Sequence, residues 1–199
     1  MANNTLCAAV ETAISWVVAD FQRNPERFWN ERDIHWSLFY YMKREQVYEE
    51  AYPTELIRAE FPTRKVFSGK KAARGHYDAV IIDAESYNKP EVQKYKAQAP
   101  WKGYLELIEI AVAIEIKLWL SRQRIEDRAD WDIQKLTDKP NNIQNAYFLN
   151  FVQLNTKPMK EYYQELRNYL IEMKRKYPDL NILCVPSDYQ IQPVKDNWL

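Results

Sequence analysis

The chain has 199 residues, enough for one domain with a full apolar core, and its mix of apolar and charged side chains is that of an ordinary soluble globular protein. Its 28 Lys and Arg balance 28 Asp and Glu, which excludes nucleic-acid binding driven by overall positive charge and leaves only local patches for that purpose. No stretch approaches the length of a membrane-spanning helix, and no basic segment followed by an apolar run opens the sequence, so a cytoplasmic protein with no membrane partner is expected.

The two cysteines, Cys7 and Cys184, lie far apart among apolar residues and read as free buried thiols. There is no repeat, low-complexity tract or dividing linker, so residues 1–199 are read as a single domain. In residues 5–22, Ala9, Ala13, Val17 and Phe21 recur at helical spacing and predict an amphipathic helix ended near Pro25. Asn30 then caps a second helix, with Asp33 three positions on, and Glu31, Ile34, Leu38 and Tyr41 share one of its faces.

Residues 55–62 alternate imperfectly up to Pro62 and predict a first strand, followed by a basic connection. The segment 75–83, GHYDAVIID, predicts a second, mostly buried strand. From 84 to about 106 no clear periodicity is present, and the segment reads as an insertion. Residues 107–120 carry the strongest period-two signal in the chain: Ile108, Ile110, Val112, Ile114, Ile116 and Leu118 alternate with Ala113, Glu115, Lys117 and Trp119. A short helix over 131–136, a strand over 145–152, a helix over 160–177 and a last strand over 181–186 follow. The expected fold is therefore α/β: a mixed β-sheet flanked by helices, in the order helices, three strands, helix, strand, helix, strand.

On the third strand Glu115 and Lys117 project from one face about 7 Å apart, close enough to serve one phosphate from two sides. A magnesium-type ion needs hard oxygen ligands, and Asp78 with Glu115 supplies two carboxylates from a rigid sheet. Such an ion activates a bound water and neutralises charge on a phosphate under attack, and Lys117 would orient that water or stabilise the transition state. The triplet Glu172-Met173-Lys174 repeats the acid-x-lysine spacing on a helix, where residues two apart diverge, so only the strand copy has the geometry. A charged pair in the most apolar strand costs on the order of several kcal/mol per ion in desolvation before compensation. A same-face ion pair without chemistry is the competing explanation of Glu115 and Lys117.

These residues and the order of elements around them resemble the PD-(D/E)XK nuclease superfamily, whose fold is restriction-endonuclease-like. In that family an aspartate lies on the second strand and an acid-x-lysine on the third, matching Asp78 in HYDAVIID and Glu115 and Lys117 in AIEIKLW. The resemblance implies a metal-dependent nuclease, most plainly one acting on DNA, with Asp78 and Glu115 holding Mg2+, or Mn2+ in its place. Glu31, with Glu11 as the weaker alternative, matches the first-helix glutamate of many members, and Asp132, Gln134 and Lys135 match polar residues on the helix after the third strand. Two departures stand out: His76-Tyr77 precedes Asp78 where the family signature has proline, and the insertion lengthens a usually short connection.

Around this centre, Arg64, Lys65, Lys70, Lys71 and Arg74 crowd one connection and Arg122, Arg124 and Arg128 another, so Lys70, Lys71, Arg74, Gln134 and Lys135 are expected nucleic-acid contacts. Glu60 either reaches the same face or pairs with an arginine, and His35 and His76 read as hydrogen-bonded structural residues. A homodimer is possible. The alternative function is a catalytically inactive nuclease-like module that binds nucleic acid or a protein partner.

Overall fold

The computed structural model describes residues 2–44, 56–67, 73–98, 105–187 and 197–199. The first helix, α1 (Ala2–Arg23), gives way at Asn24 to a single 3-10 turn, Pro25–Arg27. The second, α2 (Glu31–Arg44), starts as the sequence demands: Asn30 Oδ1 accepts the Arg32 amide at 2.9 Å, and Asp33 Oδ2 accepts the Trp29 and Asn30 amides at 2.7 and 3.0 Å. Its buried residues Ile34, Leu38, Tyr41 and Met42 face the core.

Among the described residues five strands form one sheet in sequence order: β1 (Ile57–Phe67), β2 (Ala73–Ile82), β3 (Ile110–Trp119), β4 (Ile143–Val152) and β5 (Leu180–Pro186). β1 with β2 and β2 with β3 pair antiparallel, whereas β3 with β4 and β4 with β5 pair parallel. Parallel neighbours need long crossovers, and these are α5 (Ile125–Thr137) and α6 (Lys157–Lys176). The sheet's two faces are covered by different helices. Trp119 rests against Tyr162 of α6 on one, whereas Tyr147 and Phe151 of β4 touch Glu11 and Phe21 of α1 on the other.

Several boundaries differ from the sequence expectation. Pro62 does not end β1, because β1 is an edge strand in which proline's missing donor need not interrupt the ladder, and Pro62 lies opposite His76. The segment after Asp83 holds two short helices, α3 (Ala84–Tyr87) and α4 (Pro90–Gln98). Their signals are local rather than periodic: Asp83 Oδ1 accepts the Ser86 amide at 2.7 Å, and Pro90 opens α4. The excursion leaves β2–β3 pairing intact, since the Asp83 amide reaches Glu109 O at 2.9 Å and the Glu109 amide reaches Ser86 Oγ at 2.8 Å. Finally, α5 starts at Ile125, well before Trp131, with Glu126 and Asp127 in its first turn and Ala129, Ile133 and Leu136 buried.

Candidate metal centre

Register brings the proposed acids together. Ala79 lies opposite Ile114 and Val80 opposite Ala113, so one step further along the same ladder Asp78 falls beside Glu115. There the backbone pairing of β2 and β3 stops, and the Asp78 side chain takes its place: Oδ2 accepts the Ile116 amide at 2.6 Å. This amide belongs to the residue between Glu115 and Lys117, so Asp78 is clamped to the middle of the acid-x-lysine triplet.

The crossover helix α5 supplies the counter-charges. Lys135 Nζ lies 2.6 Å from Glu115 Oε1, 2.7 Å from Asp132 Oδ1 and 2.8 Å from the His76 carbonyl oxygen to which it donates. Lys117 Nζ lies 2.7 Å from the other oxygen of Asp132. At the end of β3, Glu31 Oε1 accepts the Leu118 amide at 3.3 Å and pairs with the guanidinium of Arg128, which is stacked 4.9 Å from the Trp119 ring centroid. Glu31 thus lies at the end of β3, whereas Glu11 accepts from the Tyr147 hydroxyl at 3.1 Å.

The electrostatic consequences are unequal. Glu115, 1% exposed, has its pKa raised well above the ordinary glutamate value by burial first, and then by the charges of Asp78 and Asp132, against which Lys135 works. For Asp78, burial pushes the other way from the net result: the His35 contact, the Ile116 amide and Lys117 outweigh it and hold the carboxyl below its usual value. Burial also opposes the charged forms of Lys117 and Lys135, yet the surrounding carboxylates, Asp132 foremost for Lys117 and Glu115 for Lys135, raise both and keep them cationic.

Four carboxylates, Glu31, Asp78, Glu115 and Asp132, thus share three fixed cations, Lys117, Lys135 and Arg128, with His35 beside Asp78. The negative surplus and the raised Glu115 carboxyl are what a bound dication would relieve, and two carboxylates on adjacent strands are the donors a hard ion takes.

The expected nucleic-acid contacts fare differently from one another. Lys135 is buried and committed to Glu115, Asp132 and the His76 carbonyl, so it orders the centre and does not reach a substrate backbone. Gln134 is exposed on α5. Lys70 and Lys71 lie outside the described residues, and Arg74 falls near the start of β2. The basic run after β3 is matched by acids: Arg122 with Glu165, Arg124 with Asp127 and Arg128 with Glu31.

Sequence reasoning missed His35, whose Nε2 stands 3.5 Å from Asp78 Oδ2. The signal was present only as helical phase, since His35 follows Glu31 by four positions on α2. Asp132 and Lys135 were visible as polar residues, but their i,i+3 spacing on the buried face of α5 was the clue to their role as counter-ions. Comparison with family models, curated proteins and solved structures gave no match, so no family is shown for the chain.

Proposed function

We propose that the protein is a metal-dependent nuclease of the PD-(D/E)XK type that hydrolyses phosphodiester bonds, most plainly in DNA. The observation that carries this reading is the register of β2 on β3, which sets Asp78 beside Glu115 and fastens it to the backbone between Glu115 and Lys117. Asp78 and Glu115 would hold Mg2+, with Mn2+ as substitute, and the ion would supply an activated water and charge neutralisation at the phosphate. Lys117, kept protonated and aimed by Asp132, would stabilise negative charge on the phosphate. Lys135 would hold the Glu115 carboxylate in place, and Glu31 would act through Arg128 and the end of β3.

A nucleic-acid substrate is supported by the exposed face of α2. Arg32, Trp36, Tyr40 and Arg44 repeat there every four residues, with Trp36 75% and Tyr40 62% exposed, so that two ring faces for bases are flanked by cations for phosphates. A homodimer would present two such centres to the two strands of a duplex.

Replacement of Lys117 by alanine should abolish cleavage while the fold survives. Failure of the purified protein to cut DNA or RNA with Mg2+ or Mn2+, or an alanine variant as active as the parent, would defeat the reading. A second reading, an inactive nuclease-like module that binds nucleic acid or a protein, is favoured by one observation. Glu115 and Lys117 are each already closed off by an internal ion pair, at 2.6 and 2.7 Å. Calorimetric titration with Mg2+ separates the two, since the enzyme needs saturable Mg2+ binding weakened by Glu115→Gln.

A further inference from the structure

Beside the Asp78–Glu115 pair, three ligand atoms from three elements converge: His35 Nε2 from α2, a Glu60 carboxylate oxygen from β1 and an Asp78 carboxylate oxygen from β2 lie within 4.8 Å of one another. We propose that His35, Glu60 and Asp78 form a binding site for a first-row transition-metal dication of the Mn2+ type. The site differs in ligand chemistry from the all-oxygen pair and shares one carboxylate with it.

The distances favour an ion over a hydrogen bond. His35 Nε2 and Asp78 Oδ2 are 3.5 Å apart, too long for a good N–H···O contact, and this buried nitrogen has no hydrogen-bond partner among the described residues. Bonds of roughly 2.0–2.2 Å to one ion set neighbouring ligand atoms about 3.0 Å apart in octahedral and about 3.4 Å apart in tetrahedral geometry; the His35–Asp78 separation is close to this spacing, and all three atoms lie within 4.8 Å of one another. An imidazole nitrogen in the set selects transition metals over Mg2+, which takes oxygen ligands almost exclusively.

The supports are also in place. Asp78 Oδ2 accepts the Ile116 amide at 2.6 Å, which fixes the carboxylate while leaving a lone pair for an ion. Glu60 is held directly across from Asp78, because its neighbours Ala59 and Phe61 pair with Ala79 and Tyr77. Access is open: a cleft of about 400 Å³, lined by Arg32, His35, Trp36, Phe39, Ala59 and Glu60, leads to the site from solvent. None of this requires the chain to cut nucleic acid.

Titration calorimetry of the full chain with MnCl2 and, separately, MgCl2 tests the site on the parent and on the His35→Ala, Glu60→Gln and Glu115→Gln variants. Loss of a supporting partner alone weakens metal sites about 10–100-fold, so His35→Ala and Glu60→Gln should each weaken Mn2+ by about tenfold or more, while Glu115→Gln stays within about threefold. Circular dichroism checks the fold, and Glu60→Gln, at an exposed position, keeps the test decisive if His35→Ala unfolds. The site is overturned if the parent shows no saturable Mn2+ binding or if Glu60→Gln binds like the parent. It is equally overturned if a folded His35→Ala binds like the parent, or if Glu115→Gln loses Mn2+ as completely as the other two. Cleavage is assayed apart from this. A chain that cuts DNA in Mg2+ yet fails the titration keeps its proposed function without this site, and one that binds as expected but never cuts keeps the site without the function.

Discussion

Removing the Lys135 ammonium would leave Glu115, 1% exposed, facing Asp132 and Asp78 without the nearest cation. Breaking a buried pair from one side strands the other charge, so Lys135→Ala should destabilise the fold by about 3 kcal/mol or more, read by urea denaturation. Glu115 and Asp78 should give opposite pH signatures in metal-free protein. The folded pKa of Glu115 is raised, so its contribution is complete below the ordinary glutamate value and disappears as pH rises through the raised one. The parent's stability relative to Glu115→Gln should therefore fall over that interval and level off above it. Asp78 is depressed, so its contribution is present above the ordinary aspartate value and is lost as pH drops through the lowered one. The parent's advantage over Asp78→Asn should shrink on acidification, and unfolding curves across pH that show either trend reversed would refute the assignment.

At the scale of elements, α2 delivers both Glu31 and His35, and its start is set by Asn30 and Asp33. Asp33→Ala removes the acceptor for two backbone donors and should cost about 1 kcal/mol, measurable as a lowered urea midpoint. That cap was legible in the sequence, as was β3, because alternation of Ile and Val with Glu115 and Lys117 has a period no helix can satisfy. By contrast α3 and α4 were not, since short helices begun by Asp83 and Pro90 carry too few turns to establish periodicity. The opening of α5 was obscured by its charge, with only Ile125, Ala129 and Ile133 marking its inner stripe. Within the site, Asp78, Glu115 and Lys117 were readable from strand phase. The grouping of His35 with Glu60 was not, because residues from α2 and β1 meet through tertiary packing that leaves no spacing in the chain.

On the scale of the whole molecule, β5 is the last strand of the sheet among the described residues. The chain's last residues shield it: Trp198 bridges to Leu183, the Leu199 amide reaches Ile182 O at 3.1 Å, and the Trp198 ring meets Tyr147 edge-on at 6.1 Å. Open strand edges recruit other strands, so deletion of residues 197–199 should lower the thermal midpoint and increase self-association, followed by light scattering. No helix among the described residues is long and apolar enough to cross a membrane.

Glu60 holds a left-handed backbone, φ 51, in the middle of an edge strand. A side chain with a Cβ resists that conformation by about 1–2 kcal/mol, and glycine does not. Heat selection on a library randomised at this position, with no demand for ion binding, should therefore enrich glycine. Durability would then be gained at the expense of a ligand, and the retention of glutamate under a metal-dependent screen would expose the conflict.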